Sequence, residues 1–295
     1  MDAIVVESRR GGVVEARHVV HAVAVRDGAV VAEAGNGSLV CYLRSSSKPL
    51  QALPLALARD DVDDRDLAIA SASHRATDEQ LAAVRELLAK APATEDDLEL
   101  GLQEGRPPTK LHHNCSGKHA GMLAVCTARG WPLAGYVRAD HPLQQELLRV
   151  HAEAAEARSD EIPVAPDGCG VSAFALPLER MAHAFARLDS LPGGARVAAA
   201  MRANPELVGG PGAVDTELMQ ALPGWLSKGG AEGLICLRAA DGTGIALKTE
   251  DGSSRPHRPA LAAFLRLLEV DLSAWDTVPI ENSRAETVGE LSTRG

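Results

Sequence analysis

Short runs rich in Val, Ala and Ile occupy residues 3–6, 18–25, 29–33 and 39–43, with turn-forming residues between them. Arg10-Gly11-Gly12 and Asp27-Gly28 suit tight hairpins, because glycine adopts the positive φ such turns demand. The period then changes. From Lys48 to about residue 59, Leu and Ala recur with helical spacing, and Thr77-Asp78-Glu79-Gln80 has the form of a capping box opening a helix to about Lys90. Further apolar-periodic stretches predict helices near 117–128, 142–157, 171–186, 194–203 and 215–221. Strands return at 232–238 and 243–249, joined by Ala239-Ala240-Asp241-Gly242, and a last helix is predicted over about 259–268.

Strands at both ends with helices between and after them predict an α+β fold. Its antiparallel sheet is built from N- and C-terminal strands and carries a helical lobe. The expected division is a sheet lobe of residues 1–47 plus 224–295 and a helical lobe of 48–223, within one catalytic unit of 295 residues. The two lobes are expected to close over a cleft, a common place for a site. A net charge of −10 argues against a nucleic-acid surface, which needs dense Lys/Arg patches. No apolar stretch approaches the roughly 18 residues of a membrane span. The first residues show no basic run followed by an apolar one, so secretion is not expected. Five widely spaced cysteines form no disulfide framework, and a reducing cytoplasm is the expected setting.

Four segments carry candidate chemistry. In Arg44-Ser45-Ser46-Ser47-Lys48-Pro49, a helix opening at Ser45 sets Lys48 one turn on and on the same face. Ser-x-x-Lys is the spacing with which acyl-transfer enzymes set a lysine beside a serine hydroxyl. The amine, with an ordinary pKa of about 10.4, becomes a base only when desolvated or set beside another cation. Lys228-Gly229-Gly230, just before the late strand hairpin, completes the order found in serine β-lactamases: its cation lowers the pKa of Lys48, and its glycines let a ligand approach the strand. Ser71-Ala72-Ser73-His74 offers a second hydroxyl and an imidazole. Finally, Cys115 and His119 lie four apart in His112-His113-Asn114-Cys115-Ser116-Gly117-Lys118-His119, and Cys169 sits in the turn Pro166-Asp167-Gly168-Cys169-Gly170. These fit a metal site, a cysteine nucleophile with a histidine base, or a buried structural pair of thiols. Surface lysines, an ordinary N-cap serine and a structural histidine are the plain alternatives for the first three segments.

Taken in order, these segments resemble the Rhizobium-type (class 3) L-asparaginases, an asparaginase II-like family. The resemblance covers nearly the whole chain, and Asn114-Cys115-Ser116-Gly117-Lys118-His119 is its most distinctive part. It implies a serine β-lactamase/glutaminase-like fold and hydrolysis of L-asparagine to aspartate and ammonia. It further implies two Ser–Lys pairs, Ser45 with Lys48 and Ser73 with Lys228, and a zinc position formed by Cys115, Lys118 and Cys169. Arg44, His74, His119, Asp167 and Gly229 become candidate substrate contacts, and a homodimer is implied. The chain departs from the family at Pro211-Gly212-Ala213-Val214-Asp215-Thr216, where a Gly-x-Arg-Phe-Asp-Thr run is expected, and residues 222–228 form a short segment. Competing readings are a serine hydrolase of the same fold acting on glutamine, a peptide amide or a β-lactam, a Cys115-based amidase, and a non-catalytic amino-acid-binding protein that the missing arginine favours.

Overall fold

The computed structural model describes residues 1–294. Eleven strands form there: β1 (Ile4–Arg10), β2 (Val13–Arg26), β3 (Ala29–Ala34), β4 (Val40–Tyr42), β5 (Val164–Pro166), β6 (Ser172–Pro177), β7 (Leu226–Gly229), β8 (Leu234–Arg238), β9 (Gly244–Thr249), β10 (Thr277–Glu281) and β11 (Thr287–Thr293). The main sheet runs β10-β11-β1-β2-β9-β8-β7 and is antiparallel throughout, so strands from both chain ends lie side by side and the fold is α+β. β2 is long enough to serve two partners on one edge: β1 along its first half, with Val5 opposite Val19, and β3 along its second, with Val23 opposite Glu33. Its other edge pairs with β9.

Alternation along the central strands feeds two cores. Val20, Ala22 and Ala24 of β2, with Ile245 and Leu247 of β9, pack with Leu261 and Phe264 on one face. Val23, Val25 and Ala246 join the larger core of the helical lobe on the other face. A sheet covered on both sides explains why the central strands read as near-continuous apolar runs.

The helices are α1 (Lys48–Gln51), α2 (Leu53–Ala58), α3 (Asp64–Ala70), α4 (Asp78–Lys90), α5 (Ser116–Arg129), α6 (Pro142–Ala155), α7 (Leu178–Ala186), α8 (Gly194–Ala203), α9 (Pro205–Val208), α10 (Val214–Ala221) and α11 (His257–Leu265). Two expectations change, and one hairpin that was not predicted joins the main sheet. Residues 48–59 form two short helices instead of one, with Pro49 and Pro54 each in a first turn, where the missing N–H costs nothing. The stretch 171–186 begins as β6, a buried strand that pairs with β4 and β5 in a small second sheet; β4 therefore leaves the main sheet. The hairpin β10–β11 caps the main sheet although Pro279 sits within it. Pro279 is tolerated because β10 is an edge strand.

Two close approaches bring the chemistry-bearing segments together. A Cβ on Gly117 would lie 2.3 Å from the Ile69 carbonyl oxygen, so only glycine lets α5 start against the end of α3. A Cβ on Gly230 would lie 2.8 Å from the Leu43 oxygen and 2.9 Å from Ser46 Oγ, so the end of β7 presses on the 3₁₀ turn Arg44–Ser47. Ser46 Oγ seals this junction by donating to the Lys228 carbonyl at 2.8 Å.

Candidate active site

Where β7, the Arg44–Ser47 turn and the loops at 71–74 and 113–115 converge, an open cleft of about 530 Å³ has Ser45, Ser73, Lys228 and Gly229 on its walls. Behind Ser73 stands Lys48, with no exposed surface. Its Nζ donates to the Ala72 carbonyl at 2.5 Å, to Ser73 Oγ at 3.0 Å and to the Asn114 carbonyl at 3.4 Å. Among the described residues no carboxylate pairs with it. Burial pushes its pKa down to about 8, with the nearby Lys118 and Lys228 cations adding to the effect and the Cys115 sulfur opposing it. The hydroxyl that the amine touches is thus Ser73, 25 positions away, while Ser45 reaches the same cleft from the adjoining turn.

Lys228 is equally buried but differently satisfied. Its Nζ donates to the Gly229 carbonyl at 2.7 Å and faces Asp215 Oδ2 at 3.4 Å. Asp215 Oδ1 accepts from Ser227 Oγ and from the Gly229 N–H, both at 2.7 Å. Burial pushes this carboxyl up, yet Lys228 and those donors outweigh it and hold its pKa below the ordinary value. No hydrogen bond joins Ser73 to Lys228 among the described residues.

A third buried lysine, Lys118, donates to Cys169 Sγ at 3.0 Å. Cys115 lies beside Cys169, and the two thiols share protons: the neighbouring Cys169 thiol draws the first ionisation at Cys115 well below its usual value, against burial and with help from Lys48 and Lys118. Cys169, next to that thiolate and buried, is pushed up. Burial works against the charge on Lys118, but the two sulfurs outweigh it and keep the amine protonated. Two sulfurs and one amine, sealed from solvent, match the N/S preference of zinc, provided the amine gives up its proton on binding. Among the described residues no three His, Cys, Asp or Glu side chains form such a group, so the donor set depends on Lys118.

The remaining candidates stand around the cleft without lining it. Arg44 Nε donates to Asp167 Oδ1 at 2.7 Å, and Asp167 also accepts from the Gly168 N–H; the pair ties the serine turn to the Cys169 turn. Arg44 does so at a positive φ of 49°, a costly conformation for a side chain of this size. His74 is a strut: its Nε2 bonds Ser116 Oγ at 2.8 Å, Nδ1 accepts from the Ala76 N–H, and burial with Lys48 nearby lowers its pKa to about 3. His119 Nδ1 meets Tyr136 Oη at 2.6 Å in the interior. Asn114, from the most distinctive of the sequence motifs, also lines the cleft, as do residues not singled out from the sequence: Asp215, Arg75, Arg255, His257 and Arg258. Of these, only Asp215 carried a signal, as part of the divergent 211–216 stretch.

The family model described as L-asparaginase II matches residues 6–293, nearly the whole chain. No curated protein matches it.

Proposed function

The chain belongs to the L-asparaginase II family of amidohydrolases, and from that premise we propose that it hydrolyses the side-chain amide of L-asparagine by acyl transfer. Ser45 Oγ attacks the amide carbon, and its proton passes through Ser73 to Lys48 Nζ and on to the leaving nitrogen, which departs as ammonia. Water then attacks the acyl-Ser45 ester, the same groups carry the proton back, and aspartate is released. The observation that carries this reading is the Lys48 amine, wholly buried, 3.0 Å from Ser73 Oγ and brought to about 8, near the range a general base needs.

Backbone donors favour Ser45 over Ser73 as the attacking group. A nucleophile's own N–H commonly helps to bind the oxyanion. The Ser73 N–H already donates to the Val208 carbonyl at 3.0 Å, whereas Ser45 sits at the start of a 3₁₀ turn, where amides lack an internal acceptor. On the strand side the Gly229 and Gly230 amides are taken by Asp215 and by the Leu234 carbonyl, which leaves Ala231 as the second donor.

Cys115, Lys118 and Cys169 would hold a zinc ion; bound there, it would keep the two sulfurs as thiolates and pin the Cys169 turn. A homodimer in a reducing cytoplasm completes the proposal. The homodimer rests on the family resemblance, and the five unpaired cysteines support the compartment. Among the described residues no helix is long and apolar enough to cross a membrane.

The test is ammonia release from L-asparagine. Wild-type turnover lost in Ser45→Ala and sharply reduced in Ser73→Ala and Lys48→Met supports the scheme. Silence on L-asparagine with turnover of glutamine or a peptide amide refutes the substrate, and a substrate-derived mass adduct on the Ser73 peptide refutes Ser45 as nucleophile. Light scattering reads the dimer, and Ser73→Ala with undiminished turnover removes the relay.

A further inference from the structure

The cleft has one acidic residue on its walls among those described, Asp215, and both its oxygens are spent on Ser227, Gly229 and Lys228. An amino-acid substrate entering the cleft brings an α-ammonium and an α-carboxylate, and each needs a partner that the proton-transfer groups do not provide. The stretch from β9 into the start of α11 supplies two. His257 is 4% exposed, lines the cleft, and has an Nε2 with no hydrogen-bond partner. A buried polar atom left bare costs free energy unless something arrives to meet it. Burial is the larger influence on this ring and lowers its pKa, which favours the neutral form, while a bond to the Gly233 backbone opposes it; neutral, and with its proton on the nitrogen that meets Gly233, the ring presents a lone pair at Nε2.

Three guanidinium groups line the same cleft. Arg258 is neutralised by Glu217 at 2.7 Å, and Arg75 is tied by Nη1 to the Pro211 carbonyl at 2.6 Å. Arg255 has no acidic partner among the described residues. It stands two positions before His257, at the N-terminus of α11, where helix amides add to the attraction for an anion. Gly212, Ala213 and Val214, which also line the cleft, carry no charge.

We propose that Arg255 and His257 form the head-group subsite of the cleft, Arg255 binding the substrate α-carboxylate and His257 Nε2 accepting from its α-ammonium. They are specificity-determining residues of the proposed amide hydrolysis, and the assignment rests on that reading.

Substrates that lack one head group test it. Succinamate is L-asparagine without the ammonium, and β-alaninamide is L-asparagine without the carboxylate. Arg255→Ala lowers the kcat/KM ratio of L-asparagine to β-alaninamide by ~10- to 100-fold, chiefly through KM, and Arg255→Lys recovers part of it. His257→Leu lowers the ratio of L-asparagine to succinamate by a similar factor. Equal losses on all three substrates, or no loss, overturn the subsite. Calorimetric binding of L-aspartate, which carries both head groups and needs no turnover, separates this inference from the catalytic one. Binding weakened tenfold or more by Arg255→Ala upholds the subsite even in a protein that releases no ammonia. Wild-type binding absent, or indifferent to Arg255, refutes it while leaving the acyl-transfer scheme to the ammonia assay.

Discussion

Replacing Lys48 by Met removes the amine while keeping an unbranched side chain of similar length, and its effect on stability is pH-dependent in a calculable way. In the folded protein the amine titrates at about 8, against 10.5 for the free side chain. At about 1.4 kcal/mol per pH unit, that gap means the buried charge costs the wild type about 3 kcal/mol. The direction follows from proton binding. Below pH 8 both folded and unfolded wild type carry the proton, and the full cost stands. Between about 8 and 10.5 the unfolded chain holds more protons than the folded one, so wild-type stability rises with pH and the cost is gone above that window. Met carries no such charge. The hydrogen bonds lost from Ala72, Ser73 and Asn114 shift the variant by a fixed amount that does not vary across the window. Urea denaturation of both chelator-treated proteins from about pH 7 to about pH 10.5 therefore shows the wild type gaining about 3 kcal/mol on Lys48→Met. In parallel, wild-type kcat/KM for L-asparagine rises with pH about a midpoint near 8, and Lys48→Met falls by ~10²–10⁴-fold. A stability difference that is flat with pH, or that changes only above about 10, refutes the argument that burial has made this amine a base.

Asp215→Asn leaves Lys228 charged and buried without its carboxylate; a loss of about 3–5 kcal/mol in urea denaturation is expected, and a change under about 1 kcal/mol would show that the Gly229 carbonyl suffices. Gly230→Ala drives a methyl group into the Leu43 carbonyl and Ser46, so the turn carrying Ser45 must shift. Ammonia release is expected to fall at least tenfold with a lower Tm, and an unchanged Tm would contradict the tight contact. Wild-type protein equilibrated with zinc is expected to retain about one ion per chain by elemental analysis and to release protons on binding, and Cys169→Ala to retain none. Equal retention by the two would remove Cys169 from the donor set.

Local signals read well where the cause of structure is local. Thr77 and Gln80 exchange side-chain and backbone bonds at the start of α4, as their spacing predicts, and Gly11-Gly12 and Asp27-Gly28 take the positive φ their hairpins need. β6 was hidden because Ser172–Pro177 is buried on both sides and runs straight into α7, so no change of period marks its end. The partner of Lys48 was hidden for a different reason. Ser-x-x-Lys spacing speaks only of neighbours on one turn, whereas Ser73 arrives through the packing of α3 against α5, which Gly117 permits. Asp215 and His257 lie further still from any local pattern: Asp215 enters the sequence reading only within the divergent 211–216 stretch and His257 falls just before the predicted last helix, and the fold buries both beside the cleft.

Three buried lysines meet near one cleft in a chain whose net charge is −10, and their neighbours divide the work among them. Lys228 faces a carboxylate, and Lys118 faces two sulfurs, one of them readily ionised, so an anion offsets the cost of burying each amine. Lys48 faces two carbonyls and a hydroxyl, which are dipoles without net charge, and the other two cations press on it. It is therefore the lysine of the three that burial can bring into the working range of a base. The cations of the other two add to the effect of burial, and the Cys115 sulfur opposes it. Removing the sulfurs would loosen this division: an unpaired Lys118 would compete with Lys48 to lose its proton, and the alkaline rise in turnover would broaden before it weakened.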